Sequence, residues 1–169
     1  MNEPALAALF RRITHGVYVI GVADGYRQNA FTAAWVMQVS FRPLLLALSI
    51  NRGHKSYDLL RNGRCFTVNV LRRDQLELAK HFAQPSISDK LSDSNWRPAQ
   101  SGAPILSDTA AYFDCELLGE YPAGDHILAV GRVLDGAILD DSGPPMNYLD
   151  TGDMDGAEAI YRTLSIPSR

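Results

Sequence analysis

Strand-like segments follow one another along most of this chain, and helices do not alternate with them regularly. Six segments show the alternating or continuously apolar pattern of a β-strand: 17–20, 29–40, 44–50, 65–70, 110–121 and 126–138. A doubly wound parallel sheet needs a helix between successive strands, so this order argues against βαβ units. We therefore predict a mainly β fold, an antiparallel barrel or sandwich with short helices on its outside. The whole chain, 1–169, is predicted to form one domain, because it has one domain's length and neither linker nor repeat.

Short helices are predicted between and around these strands. Apolar residues at helical spacing and capping residues place them at 4–13, 56–60, 74–83, 89–91 and near 157–164. Two of them have clear end signals. Asn62-Gly63 is expected to break the second helix, and Asp74 to cap the third before Pro85 stops it.

The second arm of the first hairpin contains a run of small residues, Asn29-Ala30-Phe31-Thr32-Ala33-Ala34-Trp35. Strand interiors favour bulky β-branched or aromatic side chains, which pack on a pleated surface. Three alanines and a threonine therefore leave a strip of backbone uncovered, where a flat ligand could lie against main-chain N–H and C=O groups. The alternative is that a helix or a second chain packs closely on the strip, and spacing alone does not decide between the two.

Several common active sites are absent from the sequence. No G-x-G-x-x-G follows a strand, and neither G-x-x-x-x-G-K-[ST] nor G-x-S-x-G occurs. This argues against a Rossmann site, a P-loop and a serine-hydrolase nucleophile. The four histidines lack the spacing and neighbours of a zinc site, so no metal is expected. Any enzymatic chemistry is expected to come from a bound cofactor.

The charge and the cysteines indicate a compartment and exclude some partners. The net charge of −3 argues against nucleic acid or an anionic membrane as the main partner. No apolar run approaches the roughly 18 residues of a membrane span, and the first residues lack the pattern of a signal peptide. Cys65 and Cys115 show neither disulfide nor metal spacing. We expect a cytoplasmic protein with no membrane or nucleic-acid partner.

Polar side chains gather at strand ends in three places. Residues 49–56 combine hydroxyls, an amide, two cations and the start of a helix, which suits a phosphate but also an ordinary capped turn with a solvated basic patch. In Gly124-Asp125-His126, a tight turn leaves a histidine at a strand end beside an aspartate that can orient it. An ordinary turn histidine is the alternative there. Asp89-Lys90 is interpreted as a surface charge pair.

Taken in order, these pieces resemble the flavin reductase family with the FMN-binding split barrel. The matching pieces run from the first strand into the last one: Gly16-Val17, residues 31–35, residues 40–44, Asn51 with Ser56, residues 66–71, residues 78–83, and Gly124-Asp125-His126 followed by Gly131-Arg132-Val133. Each piece is weak alone, but seven in the family's order make a specific pattern.

The resemblance implies a six-stranded antiparallel Greek-key split barrel and an NAD(P)H-dependent flavin reductase. It also implies a homodimer that binds FMN or FAD between barrel and partner subunit, uses NADH or NADPH, and supplies reduced flavin to a flavin-dependent monooxygenase. The residues implied in flavin binding are Asn29, Phe31, Thr32, Ala33, Ala34, Ser40, Ser49, Asn51, Ser56, Phe82 and Lys90. Gly124, Asp125 and His126 match the nicotinamide site, with His126 as the catalytic residue.

The chain departs from the family pattern at its end. Many members carry a basic, glycine-rich segment after the final strand, whereas this chain has Tyr148-Leu149-Asp150-Thr151-Gly152-Asp153. Two other functions therefore stay open. One is a tightly bound flavin that reduces another acceptor, such as a corrinoid or a ferric complex. The other is a flavin-binding electron carrier without nicotinamide activity.

Overall fold

A seven-stranded antiparallel sheet dominates the structure, a computed structural model that describes residues 3–164. Its strands are β1 (Tyr18–Ala23), β2 (Gln28–Ala33), β3 (Val36–Phe41), β4 (Leu44–Asn51), β5 (Cys65–Val70), β8 (Ala111–Ala123) and β9 (His126–Ile138). A separate ribbon consists of β6 (Trp96–Pro98) and β7 (Pro104–Leu106). The helices within these residues are α1 (Glu3–Phe10), α2 (Tyr57–Gly63), α3 (Leu76–Ala83), α4 (Ala157–Tyr161) and a 3₁₀ helix, Tyr148–Thr151.

The order of the strands shows that the sheet curls into a barrel that is split between two edges. The order is β2-β1-β5-β8-β9-β4-β3, so β2 and β3 lie at opposite edges. Yet only Ala34 and Trp35 connect these two strands. Three peptide units span at most about 11 Å, so the two edges must lie close together. The predicted mainly β split-barrel fold is thus confirmed.

The sheet has one strand more than the six predicted, because the segment predicted as a single strand, 29–40, is broken. Strand β2 ends at Ala33 and pairs with β1, whereas β3 begins at Val36 and pairs with β4. At the break, Ser49 N donates to Trp35 O at 2.9 Å and so extends the pairing of the β3 edge. The run of small residues therefore crosses the split of the barrel.

Two hydrophobic clusters stabilise this arrangement. The first fills the barrel with side chains from β1, β2, β4, β5, β8 and β9, and Leu59 and Leu60 of α2 close it at one end. The second lies outside, where Ala79 and Phe82 of α3 pack against Ala30 of β2. Helix α3 therefore covers the outer face of the edge strand β2.

The helices differ from the predictions mainly at their ends. Helix α1 stops at Phe10 rather than at residue 13, and α3 begins after Gln75 because Asp74 pairs with Arg72 instead of capping the helix. The turn after Asp89 is not helical, and the ribbon β6–β7 was not predicted. No helix within residues 3–164 is long and apolar enough to span a bilayer.

Candidate functional site

A polar cluster forms where the start of β2 meets the start of α2. Asn29 Nδ2 donates to Ser56 Oγ at 3.0 Å, and Ser56 is completely buried. The neighbouring His54 packs its ring on Phe31, with 4.3 Å between ring centroids. The structure therefore brings together Asn29 and Ser56, two residues implied in flavin binding that lie 27 positions apart.

Two lysines complete this group, which we call the basic cluster: Asn29, His54, Lys55, Ser56 and Lys90. Lys90 is only 7% exposed, and its Nζ donates to Phe82 O at 2.7 Å. Lys55 Nζ donates to Pro85 O at 3.2 Å. Burial lowers the pKa of Lys90, and the nearby charge of Lys55 lowers it further.

No carboxylate neutralises either lysine of the basic cluster among the ion pairs of the described residues. The interpretation of Asp89-Lys90 as a surface charge pair is wrong, because Asp89 Oδ1 instead accepts from the backbone N–H groups of Leu91 and Ser92. A buried ammonium without a counter-charge is costly, since a single carbonyl, that of Phe82, replaces only part of its lost hydration. The chemistry of this donor set suits an anion.

His54 has a defined protonation geometry in the cluster. Its Nδ1 accepts a hydrogen bond from Ser56 N at 3.1 Å, so the proton of the neutral ring resides on Nε2. Burial, then Lys90 and Lys55, lower its pKa. His54 is therefore neutral near pH 7 in a positively charged environment.

A second polar group lies at the adjacent ends of β4 and β9. Asn51 and His126 are direct cross-strand partners. The ring of His126 lies 5.0 Å from that of Trp35, and His126 Nδ1 lies 2.9 Å from Asp125 Oδ1. This hydrogen bond lowers the pKa of the exposed Asp125. Gly124 has a φ of +67°, which a residue with a side chain rarely adopts, so the glycine enables the turn that places His126.

Asn51 connects this group to the basic cluster. Its carbonyl accepts from His54 N at 3.0 Å, one turn further along the chain. His126 therefore lies beside Asn51, one of the flavin-binding candidates, although the two are far apart in the sequence. The two polar regions predicted at separate strand ends are joined through the turn from Asn51 to His54.

A cavity of about 720 Å³ opens next to Trp35, within the size range of small-molecule sites. Its floor includes Ser49 of β4 and Leu128 of β9. Buried residues flank both of them along their strands, so their side chains point to the same face of the sheet as those of Asn51 and His126. Helices α1 and α4 form its roof, where Arg11 pairs with Glu158 at 2.8 Å. The lining is mostly apolar, so the cavity can exclude water from a flat ring.

The strip of small residues shows both outcomes that the sequence left open. On one face of β2, Ala30 is buried under α3, and Thr32 Oγ1 donates to Ala79 O at 2.7 Å. A helix therefore covers this half of the strip. Ala33 and Ala34, at the split, stay half-buried. These last two positions keep backbone within reach of a ligand.

Some predicted site residues have other positions or contribute only through their backbone. The side chains of Phe31 and Phe82 belong to the hydrophobic clusters, and the Phe82 carbonyl holds Lys90. Ser49 lies on the cavity floor rather than in the basic cluster. Ser40 pairs with Leu45, six residues before Asn51 on β4, which corresponds to about 20 Å along a strand. Within one chain, the structure does not bring Ser40 to the site.

Trp35, His54 and Lys55 were missing from the predicted site residues. His54 and Lys55 belong to the polar segment 49–56, and two cations beside a buried strand end were the available signal. Trp35 ended the strip, but nothing in the sequence indicated its contact with His126. Among residues 3–164 no group of three or more metal-ligating side chains occurs.

Comparison with known proteins shows which sequences and structures this chain is similar to. The sequence model of the flavin reductase-like domain matches residues 10–157. A Rhizobium meliloti (strain 1021) protein named "Probable flavin reductase" is 33% identical over 135 residues, which are 76% of this chain and 42% of that protein. The chain spans less than half the length of the first curated relatives that it matches.

Two solved structures are similar over most of their length. One is the Streptomyces globisporus C-1027 NADH:FAD oxidoreductase SgcE6 in complex with NAD and FAD fragments. Its TM-score is 0.80 at 26% identity, with 89% of this chain and 93% of that chain covered. The other is BorF, the flavin reductase component of a bacterial two-component tryptophan halogenase. It gives a TM-score of 0.78 at 28% identity and covers 89% of this chain and 95% of that chain.

Proposed function

This chain belongs to the flavin reductase-like domain family, and we propose that it is an oxidoreductase that reduces FMN or FAD with NADH or NADPH. The observation that carries this proposal is the buried Lys90, which has Lys55 nearby and no carboxylate partner among the described ion pairs. Such a group fits the phosphate of a flavin nucleotide. The complex of SgcE6 with NAD and FAD fragments supports a nicotinamide co-substrate.

The spacing along β2 supports a position for the isoalloxazine ring. Asn29 belongs to the basic cluster, and Ala33 lies four positions further along the strand, about 13 Å away. An extended ribityl chain together with part of the isoalloxazine ring spans a comparable length. We place the ring at Ala33–Trp35, next to the cavity, where backbone groups and apolar walls can contact it.

The chain's own residues would bind, orient and exclude water rather than act as strong acids or bases. The apolar cavity, which Trp35 lines, would keep water away from a ring bound there, and Trp35 with His126 would form a wall for the nicotinamide. Asp125 fixes the orientation of the His126 ring. A bound flavin would supply the acceptor for the hydride of a dihydronicotinamide, which is oxidised to the nicotinamide, and solvent would supply one proton.

The proposal is tested by mixing purified protein with FMN or FAD and NADH or NADPH, and following the loss of reduced nicotinamide. Turnover with added flavin supports a reductase that releases its product. No oxidation with any of the four combinations would contradict the proposal. Flavin colour that remains through gel filtration would instead favour a tightly bound flavoprotein that reduces another acceptor. Flavin binding without turnover would favour the electron carrier.

We expect His126→Ala to raise KM for NADH about tenfold while changing the Kd for FMN less than about threefold. The His126 ring packs against Trp35, which lines the cavity, and its hydrogen bond goes to Asp125 rather than to the basic cluster, so affinity for the nicotinamide should fall more than affinity for the flavin. Steady-state kinetics and a flavin fluorescence titration measure the two constants. Tyr26→Ala, at a 95% exposed turn position, is the control. An unchanged KM and kcat would disprove the role of His126.

We propose a homodimer because the β3–β4 hairpin exposes large apolar side chains. Phe41 is 81% exposed and its cross-strand partner Leu44 is 53% exposed, an apolar pair of the kind found at protein interfaces. Ser40 precedes Phe41 in this hairpin and would thus lie close to a partner subunit. Sedimentation equilibrium should give twice the chain mass of 18.6 kDa, and Phe41→Glu should shift it towards the monomer. A monomeric wild-type protein at micromolar concentration would contradict this.

The halogenase reductase BorF supports a further proposal, that reduced flavin passes to a separate oxygenase in the cytoplasm. Cys65 and Cys115 are buried and not bonded to each other, as expected in a reducing compartment. Burial raises the pKa of the Cys115 thiol to about 12, so the thiol stays protonated. Substrate oxidation by a flavin-dependent oxygenase, when this protein and NADH are its only source of reduced flavin, tests the transfer.

A further inference from the structure

We propose that His54 is a phosphate-responsive ligand of the flavin site, which takes up a proton when a phosphate group binds between Lys55 and Lys90. It would thereby select phosphorylated flavins over riboflavin. This inference rests on the proposed function, because it assigns an additional residue and a proton to the same site.

Three contacts hold His54 inside the basic cluster. Its backbone N–H is fixed to Asn51 O, its ring packs on Phe31, and its Nδ1 accepts from Ser56 N. The side chain is therefore held in one orientation by both β2 and its own turn. Ser56 in turn receives the side-chain hydrogen bond of Asn29, so the ring belongs to the basic cluster rather than to solvent.

The surroundings of His54 keep its ring neutral while no anion is present. The charged groups that act on it are Lys90, from the segment after α3, and Lys55 beside it, whereas β2 contributes only the uncharged Phe31 and Asn29. Both lysines lower its pKa, in addition to burial. A second proton would also end the hydrogen bond in which Nδ1 accepts from Ser56 N. The charged ring therefore needs an anion to compensate it.

A bound phosphate reverses each of these effects. Its charge neutralises Lys55 and Lys90, and its oxygens can accept from both Ser56 N–H and a protonated Nδ1. The pKa of His54 is thus low in the free protein and raised in the complex. At a pH between these two pKa values, His54 takes up a proton when the phosphate binds. The affinity for a phosphorylated flavin therefore rises as the pH falls through that interval. Riboflavin has no phosphate, so protonation of His54 does not raise its affinity.

Calorimetry of FMN binding in two buffers of different ionisation enthalpy, near pH 6.5, measures this proton uptake. His54→Gln keeps a side-chain acceptor for Ser56 N–H but cannot become charged. Since the FMN phosphate itself titrates near pH 6, only the difference between wild type and variant reports on His54. We expect wild type to take up about half a proton more than His54→Gln, and to bind FMN about tenfold more tightly at pH 5.5 but equally at pH 8. Riboflavin should bind both proteins alike.

Equal proton uptake by both proteins would overturn the inference, and so would an equal loss of affinity for FMN and riboflavin, which indicates a structural role. If the variant does not fold, histidine NMR of the wild type with inorganic phosphate decides, because the pKa of His54 must rise on phosphate addition. Wild-type turnover of flavin without these effects disproves only the role of His54. Absence of flavin turnover disproves the proposed function itself.

Discussion

Replacing Lys90 with methionine should weaken FMN binding about 100-fold and yet stabilise the free protein. The ammonium is 7% exposed, and no carboxylate pairs with it among the described residues. A charge-assisted hydrogen bond to phosphate contributes about 1.5–3 kcal/mol, and its loss accounts for the affinity. A methionine of similar length removes a buried charge whose desolvation the Phe82 carbonyl compensates only in part in the free protein, which we expect to add about 1 kcal/mol of stability.

Flavin fluorescence titrations and thermal unfolding without flavin measure the two effects of Lys90→Met. Lys80→Met is the matched control, because Lys80 is an exposed lysine of α3 that pairs with Glu77. Lys80→Met should change neither the affinity for FMN nor the thermal stability appreciably. Riboflavin, which has no phosphate, distinguishes loss of the charge from loss of packing. In Lys90→Met, the affinity for riboflavin should fall far less than the affinity for FMN. A variant that binds FMN normally would show that Lys90 holds no phosphate.

How far the fold could be predicted is best seen in the segment 29–40. Its apolar and small residues favour extended backbone, and both β2 and β3 are indeed strands. The break at Ala34-Trp35 was not predictable from local pattern, because it depends on which strands pair across the sheet. Strand β2 joins β1, and β3 joins β4 at the other edge. Such long-range pairing leaves no signal in the side-chain period.

For the site, the order of motifs along the chain indicated which side chains are candidates for flavin binding. It did not indicate what surrounds those side chains. Asn29 and Ser56 are hydrogen bonded and Lys90 belongs to the same basic cluster, and their part in flavin binding stays a prediction. Local pattern alone predicted that Lys90 lies at the surface. Its burial could not be predicted in this way, because it depends on α3 and on the Phe82 carbonyl. The contact between Trp35 and His126 also joins distant segments. Burial and proximity are tertiary properties, and here they distinguish a binding site from a basic turn.

Gly63 shows a related error, in which a residue was identified correctly but for the wrong reason. Asn62-Gly63 was expected to break the helix that begins near residue 56. Helix α2 instead includes Gly63, and Arg64, with a φ of 53°, ends it. The glycine is needed because β1 passes directly beside it. A Cβ at this position would overlap the Ala23 carbonyl oxygen and lie 2.9 Å from the Asp24 Cα.

Gly63→Ala is therefore expected to cost about 4 kcal/mol of stability, enough to unfold much of a marginally stable domain. The overlapping atoms belong to backbone within the sheet, so no side chain can move aside to relieve the contact. Thermal unfolding of the variant measures the loss, with Gly143→Ala as control because the nearest atom there is Arg72 Cδ at 4.0 Å.

The same substitution tests how α2 supports the site. His54 and Ser56 immediately precede α2, and Leu59 and Leu60 anchor the helix in the barrel. If Gly63→Ala displaces the helix from β1, the hydrogen bond between Asn29 and Ser56 is lost, and FMN affinity falls together with stability. A variant with wild-type stability would show that α2 is free to shift. Reduced stability with unchanged FMN binding would show that the basic cluster does not depend on the position of this helix.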